Sequence, residues 1–322
     1  MTTERLLERF QRGDRRACGR VMSEVEAETE NAASLLDELF PLTGRAWRIG
    51  MTGPPGAGKS TLVARLAGEF RRSGRTVGIV AVDPTSPFTG GAVLGDRVRM
   101  TTLFTDPGVF IRSMATRGSL GGLAVRTREV TDVMDAFGQD IIIIETVGVG
   151  QMELDVADAV HSTVVVLVPE SGDAIQTLKA GLMEIGDLFC VNKSDREGSD
   201  RMVMEIESML ELRPRTESWM PPVLTTVATL GTGLDKLKCE LERHHEHLVK
   251  SGGFIRQRAR SVRQEICRLV EQRLTQRAWS ADGMAVLLDA GCREVMAGAS
   301  TPCRVAEGLL EHLRGIVKKG AF

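Results

Sequence analysis

From Trp47 onward, short apolar runs alternate with stretches whose apolar positions recur at helical spacing. WRIGMT precedes a helix from Lys59, and TVGIVAVD follows it. GVFIRSM precedes a helix near 121–137, and DIIIIET comes next. STVVVLV precedes a helix near 174–184, LFCVN one near 200–212, and VLTTVA one from about 233. Strand–helix alternation of this kind predicts an α/β fold with a mainly parallel central sheet and helices on both faces. Residues 1–45 hold no convincing strand; LLERF and RRACGRVMSEVEAETENAASLLDELF have helical spacing, with Asp14 placed to cap the second helix. Beyond about residue 250 the strands stop, and RQRARSVRQEICRLVEQRL and a stretch near 302–318 read as helices. The expected organisation is an N-terminal helical segment (1–45), an α/β domain (46–250) and a C-terminal helical arm (251–322).

One strand stands out. Ile141–Ile144 form a run that only a strand buried on both faces would carry. It ends on a carboxylate, Glu145, before a turn through Gly148 and Gly150.

Composition narrows the function classes. The chain has 322 residues, 42% hydrophobic and 26% charged, with 41 basic against 43 acidic residues. A net charge of -2 exerts no global pull toward nucleic acid or anionic membrane. Tyrosine is absent and aromatics make up 4%, so stacking platforms for bases are hard to build and no nucleic-acid partner is expected. No apolar run approaches the roughly 18 residues a membrane span needs. The first residues carry arginines but also Glu4, Glu8 and Asp14, unlike a transit peptide, and lack a signal peptide's apolar stretch. Six cysteines (18, 190, 239, 267, 292, 303) are scattered without a C-x-x-C pair, so the expected location is a reducing cytoplasm.

Directly after the first strand stands GPPGAGKST, with Gly53, Pro54, Pro55, Gly56, Ala57, Gly58, Lys59, Ser60 and Thr61. It matches the G-x-x-x-x-G-K-[ST] phosphate loop between a predicted strand and a predicted helix. The glycines let backbone N–H groups wrap a phosphate, and the following helix points its positive end there. Lys59 would reach the β- and γ-phosphates, and Ser60 would ligate Mg²⁺. The fold class is therefore a P-loop NTPase. In such a fold the strand tips converge on the nucleotide. Glu145, at its strand's carboxyl end, is expected to serve the Mg²⁺ directly or through a water, the alternative being an arginine partner or solvent. Gly148 suits close approach to the γ-phosphate in an E-x-x-G turn. Asp83 ends the second strand and shares Glu145's logic. Asp96, in the glycine-rich GGAVLGDRVRM, is either a metal-shell acid or a turn residue.

NKSD at 192–195 follows the strand LFCV. Asp195 there can accept from both N1–H and the 2-amino group of guanine, while Asn192 holds the loop and Lys193 lies between them. Adenine would leave that carboxylate desolvated and unpaired, a discrimination worth about 10⁴ or more. Val227, Ala228 and Thr229 occupy the position where a guanine-specific domain supplies a backbone N–H to the base. The residue after Gly148 is Val149, where Ras-like enzymes place a water-orienting glutamine. A valine cannot do that, and Gln151 stands two residues further on, so intrinsic hydrolysis of GTP to GDP and phosphate is expected to be slow.

GPPGAGKST, DPTSPFTGGAVLGDRVRM, SMATRGSLGGLAVRTRE, IIIIETVGVGQ, PESGDAIQTLKAGLMEIGD and NKSD together resemble the methylmalonyl-CoA mutase-associated GTPases of the MeaB/ArgK type, in the SIMIBI branch of P-loop GTPases. The resemblance implies a G-protein chaperone of an adenosylcobalamin-dependent acyl-CoA mutase, gating cofactor loading and protecting or reactivating the mutase. Adenosylcobalamin would belong to the partner, and the chain would form a homodimer through its helical tail. The resemblance also implies that Asp83, Asp96 and Glu145 surround Mg²⁺, and that PESGDAIQTLK is an extra switch with Asp173 and Lys179 as its charged members. By its residues alone that segment is only a loop opening an amphipathic helix.

Two other readings compete. A metallochaperone GTPase of the same fold branch needs imidazole or thiolate ligands. The histidines 244, 245 and 247 of ERHHEHL are its only local candidates, and they read better as a solvated helix face. An ATP-driven transport or kinase component is opposed by NKSD.

Overall fold

The computed structural model describes residues 2–83, 100, 103–115, 126–146, 157–169, 181–212, 218–281 and 283–318, with Asp83, Ala115, Gln272, Val317 and Lys318 described by their backbone alone. Asp96, Gly148, Val149, Gln151, Asp173 and Lys179 lie outside the described residues. The helix expected near 174–184 is described only at its end, where Met183–Ile185 is helical.

Seven strands form one sheet: β1 (Trp47–Thr52), β2 (Val77–Asp83), β3 (Val109–Ala115), β4 (Ile141–Glu145), β5 (Ser162–Leu167), β6 (Leu188–Asn192) and β7 (Val223–Thr226). Their order is β3-β2-β4-β1-β5-β6-β7, and every pairing is parallel. All carboxyl ends therefore share one edge. The strand that feeds the phosphate loop, β1, lies between β4 and β5, which enter the chain much later.

The isoleucine run explains itself by packing. Ile141 and Ile143 face one apolar layer with Ile49 and Met51 of β1, together with Leu62, Leu66 and Phe70 of α4 (Lys59–Arg72) and Leu237 and Leu241 of α7 (Leu234–Ser251). Ile142 and Ile144 face the opposite layer, with Val80 and Val82 of β2 and Val130 and Met134 of α5 (Thr127–Ala136). The N-terminal helices α1 (Thr3–Gln11), α2 (Arg15–Glu26) and α3 (Ala32–Leu39) supply Phe10, Val21, Met22 and Leu35 to that same layer. Asp14 caps α2, accepting from Arg16 N at 2.9 Å and Ala17 N at 3.3 Å. A third apolar cluster joins Val165 and Leu167 of β5 and Phe189 and Val191 of β6 to Met202 and Ile206 of α6 (Ser199–Glu211).

The chain forms two compact units, Met1–Arg258 and Ala259–Phe322. The first holds the sheet and everything N-terminal to it. The second comprises most of α8 (Gly253–Ser280), with α9 (Met284–Met296) and α10 (Pro302–Lys318). There Gly291 lets α9 approach α10 closely: a Cβ on it would stand 2.3 Å from Val305 Cγ1. Among the described residues no helix is long and apolar enough to cross a membrane.

The histidines of α7 correct one expectation. His244 is 2% exposed, because it continues the inward face set by Leu237, Leu241 and Leu248 at helical spacing. Its Nδ1 is 2.9 Å from Ser162 Oγ, and its ring lies 4.8 Å from that of Trp219. His245 stacks on Trp47 at 4.6 Å, and His247 lies 5.5 Å from Trp219. A solvated face is not what α7 presents here.

His161, just before β5, is buried too; its Nδ1 accepts from Arg48 N at 3.0 Å and its ring stacks on Phe254 at 4.0 Å. Burial, reinforced by the nearby Arg48 charge, pushes its pKa down to about 3. Burial likewise pushes His244 down to about 4, even with Asp187 Oδ1 at 3.5 Å from Nε2. Desolvation outweighs that carboxylate. Both rings are neutral in the fold and titrate near the usual imidazole value once unfolded. The unfolded chain thus binds more protons below about pH 6.5, and stability is lost as pH falls from there toward the folded values. Urea unfolding at successive pH values should show a loss of about 2 kcal/mol per histidine by pH 5. The His161→Asn/His244→Asn double variant, less stable at pH 7, should lose less across the same interval.

Candidate nucleotide site

The shared carboxyl edge collects the motif residues. Leaving β1, the chain passes through Gly53, whose φ of 132° suits glycine alone. A Cβ there would sit 2.0 Å from Val166 O, a backbone atom that cannot yield. Gly58, at φ 86°, opens α4 with no side-chain cap on the helix. The first turn of α4 thus points its N–H groups and the positive end of the helix dipole at the loop, where an anion is favoured.

Lys59 is buried, and its Nζ donates to Gly53 O at 2.7 Å and Pro54 O at 3.0 Å. The ammonium thus folds the loop over itself and stands where phosphate oxygens would compete for it. Ser60 Oγ donates to Glu145 Oε1 at 2.6 Å, with both residues buried. That bond spends the hydroxyl proton on the carboxylate and sets two hard oxygen ligands side by side. A hard oxygen donor beside an anionic one is what Mg²⁺ selects. Asp83 ends β2 at the same edge, two residues beyond Ala81, the register partner of Glu145.

The second half of the site is tied to the first by one side chain. Asn192 Nδ2 donates to Ala57 O of the phosphate loop at 2.8 Å. Its Oδ1 accepts from Thr226 Oγ1 and from Ala228 N, each at 3.1 Å. Asn192 is 2% exposed, so these bonds are shielded from water. Lys193 adopts φ 56°, in the left-handed region, and its Nζ donates to Gly56 O at 2.8 Å. Asp195 stands exposed two residues on. Val227 N donates to Thr232 O at 3.1 Å.

The structure thus assembles the phosphate loop, Glu145, Asn192, Lys193 and the turn at Val227–Thr229 along one edge. Within the Val227–Thr229 stretch, expected to supply a backbone N–H to the base, the Ala228 amide is engaged by Asn192. Sequence reasoning missed Thr226, whose hydroxyl helps to hold that carboxamide and lies 3.2 Å from Cys190 Sγ. Its signal was faint: a threonine in a strand is ordinary until the neighbouring asparagine is placed. Among the described residues no group of three or more His, Cys, Asp or Glu could hold a metal ion, and the α7 histidines are spent on packing.

Residues 15–283 match the family model described as methylmalonyl Co-A mutase-associated GTPase MeaB. A putative GTPase of Pyrococcus abyssi is 50% identical over 270 residues, 83% of either chain. The mouse methylmalonic aciduria type A homolog, described as mitochondrial, is 34% identical over 278 residues, 85% of this chain and 66% of that one. Among solved structures, a crystal structure titled LAO/AO transport system kinase superposes with a TM-score of 0.74 at 26% identity, covering 98% of this chain and 99% of the other.

Asn192→Ala should strip the Ala57 carbonyl and the Ala228 amide of their side-chain partner at once and leave the Thr226 hydroxyl only its Cys190 contact. The expected cost is about 2–3 kcal/mol in guanine-nucleotide binding, read by isothermal titration with GDP.

Proposed function

The chain belongs to the methylmalonyl-CoA mutase-associated GTPase family, and on that premise we propose that it is a GTP-driven chaperone of an adenosylcobalamin-dependent acyl-CoA mutase. In this reading it gates cofactor loading and protects or reactivates a mutase of the methylmalonyl-CoA type. GTP hydrolysis itself is the activity for which the family and its relatives are named. The mutase partnership is supported by the family's description and by its span across residues 15–283.

The observation that carries the nucleotide reading is the Asn192 carboxamide, bonded at once to the phosphate loop and to the turn at Val227–Thr229. It holds the two ends of one ligand site in register. The N–H groups at the start of α4 cradle the phosphates, and Lys59 gives up its carbonyl partners for their oxygens. Ser60 and Glu145, with Asp83 and Asp96, would hold Mg²⁺, which when bound neutralises charge on the β- and γ-phosphates. Asp195 accepts from the guanine edge and sets the base preference. With Val149 in place of a glutamine, this chain lacks its own water-orienting group beside Gly148. Turnover is slow until the mutase completes the site, a role in which Lys179 of PESGDAIQTLK also takes part. The proposed setting is the cytoplasm, as a homodimer built through the helical arm of residues 251–322, with adenosylcobalamin carried by the mutase.

Titrating GTP and ATP against the chain in the presence of Mg²⁺ should show a preference for GTP of about 10⁴. Asp195→Asn should reduce that ratio at least tenfold; tight ATP with weak GTP would overturn the guanine assignment. Steady-state hydrolysis at saturating GTP should accelerate when an adenosylcobalamin-dependent acyl-CoA mutase from the same organism is added. An unchanged rate with a mutase that binds the chain counts against the chaperone reading.

A further inference from the structure

Arg65 lies on the exposed face of α4, fewer than two turns beyond Lys59. Its Nη2 crosses to the opposite end of the site and donates to Thr229 O at 3.0 Å. The receiving loop is a tight turn. Leu230 N and Gly231 N each donate to Val227 O at 3.0 Å, which makes Ala228 and Thr229 the central residues of a hydrogen-bonded β-turn.

The donors of that turn are differently occupied. The Val227 amide is spent on Thr232 O and the Ala228 amide on Asn192 Oδ1. The Thr229 amide, in the central peptide, has no acceptor among the described residues. Central peptides are the weak point of such turns, because rotating that one unit by half a turn interconverts two common turn types. Here the peptide is held from both sides. Asn192 grips the amide before it and Arg65 the carbonyl after it.

We propose that Arg65 is a positioning residue for guanine recognition, holding the turn so that the Thr229 amide meets the 6-oxygen of the purine. The proposal rests on the guanine reading above and deepens it. Adenine carries a donor at that position, and so a fixed N–H there rejects it while Asp195 selects the other edge. Because Arg65 and Lys59 share α4, one rigid helix sets the distance between the phosphate end and the base end.

The test compares wild type, Arg65→Ala and Arg65→Lys for binding of GDP, ADP and 2-aminopurine riboside diphosphate, which keeps the 2-amino group but lacks the 6-oxygen. Arg65→Ala should weaken GDP by about 3- to 10-fold, the worth of one hydrogen bond near the surface, with GDP dissociating correspondingly faster. The 2-aminopurine analogue should bind both proteins equally. Arg65→Lys, which retains a long cationic donor, should recover part of the GDP affinity. Unchanged GDP binding in Arg65→Ala, or an equal loss for GDP and the analogue, would overturn the assignment and leave Arg65 a structural contact. If wild type itself fails to prefer GDP over ADP, the guanine reading falls first, an outcome distinct from a failure at Arg65.

Discussion

A single buried carboxamide keeps the two halves of the nucleotide edge in step. The phosphate loop leaves the sheet at β1, and the loops carrying NKSD and Val227–Thr229 leave it at β6 and β7, two and three strands away. Nothing in a parallel sheet obliges loops at that distance to keep a fixed separation. Asn192 does so by donating to Ala57 O and accepting from Thr226 and Ala228, with Lys193 adding a bond to Gly56 O. An asparagine suits the post because it is both donor and acceptor and carries no charge to desolvate. An aspartate would set a carboxylate against the Ala57 carbonyl, and a leucine would strand that carbonyl and the Ala228 amide in a dry interior.

The same economy runs through the phosphate end. Glu145 closes a strand whose every other residue is apolar, and burial of a lone carboxylate there would be costly. The Ser60 hydroxyl offsets part of that cost by donating to Oε1. A buried hydroxyl partner at the strand's end is what this structure provides where a greasy strand ends on an acid.

Much of this was legible in the residues. The alternation after Trp47 placed all seven strands, since a parallel sheet buried on both faces writes itself as short continuous apolar runs. The phosphate loop and NKSD were readable because their chemistry demands particular residue types at fixed spacing. What could not be read were contacts made across the fold. His244 and its neighbours looked like a polar cluster; their burial depends on which face of α7 meets the sheet, and on Trp47 and Trp219 arriving from positions far away. Arg65 and Thr226 belong to the same class, ordinary in sequence and significant only where a distant backbone group lies within reach.

The placement of β1 between β4 and β5 has a bearing on how the molecule comes into being. During synthesis β1 leaves the ribosome with neither neighbour yet made, since its partners begin at Ile141 and Ser162. The nascent chain must carry a hydrophobic strand with two open edges through the translation of about a third of the protein, a stretch in which aggregation is favoured. The carbonyl of Val166, against which Gly53 turns, arrives later still. Ligand binding therefore cannot guide the early steps of folding, and can report only that the sheet has been assembled as far as β7 and the turn after it.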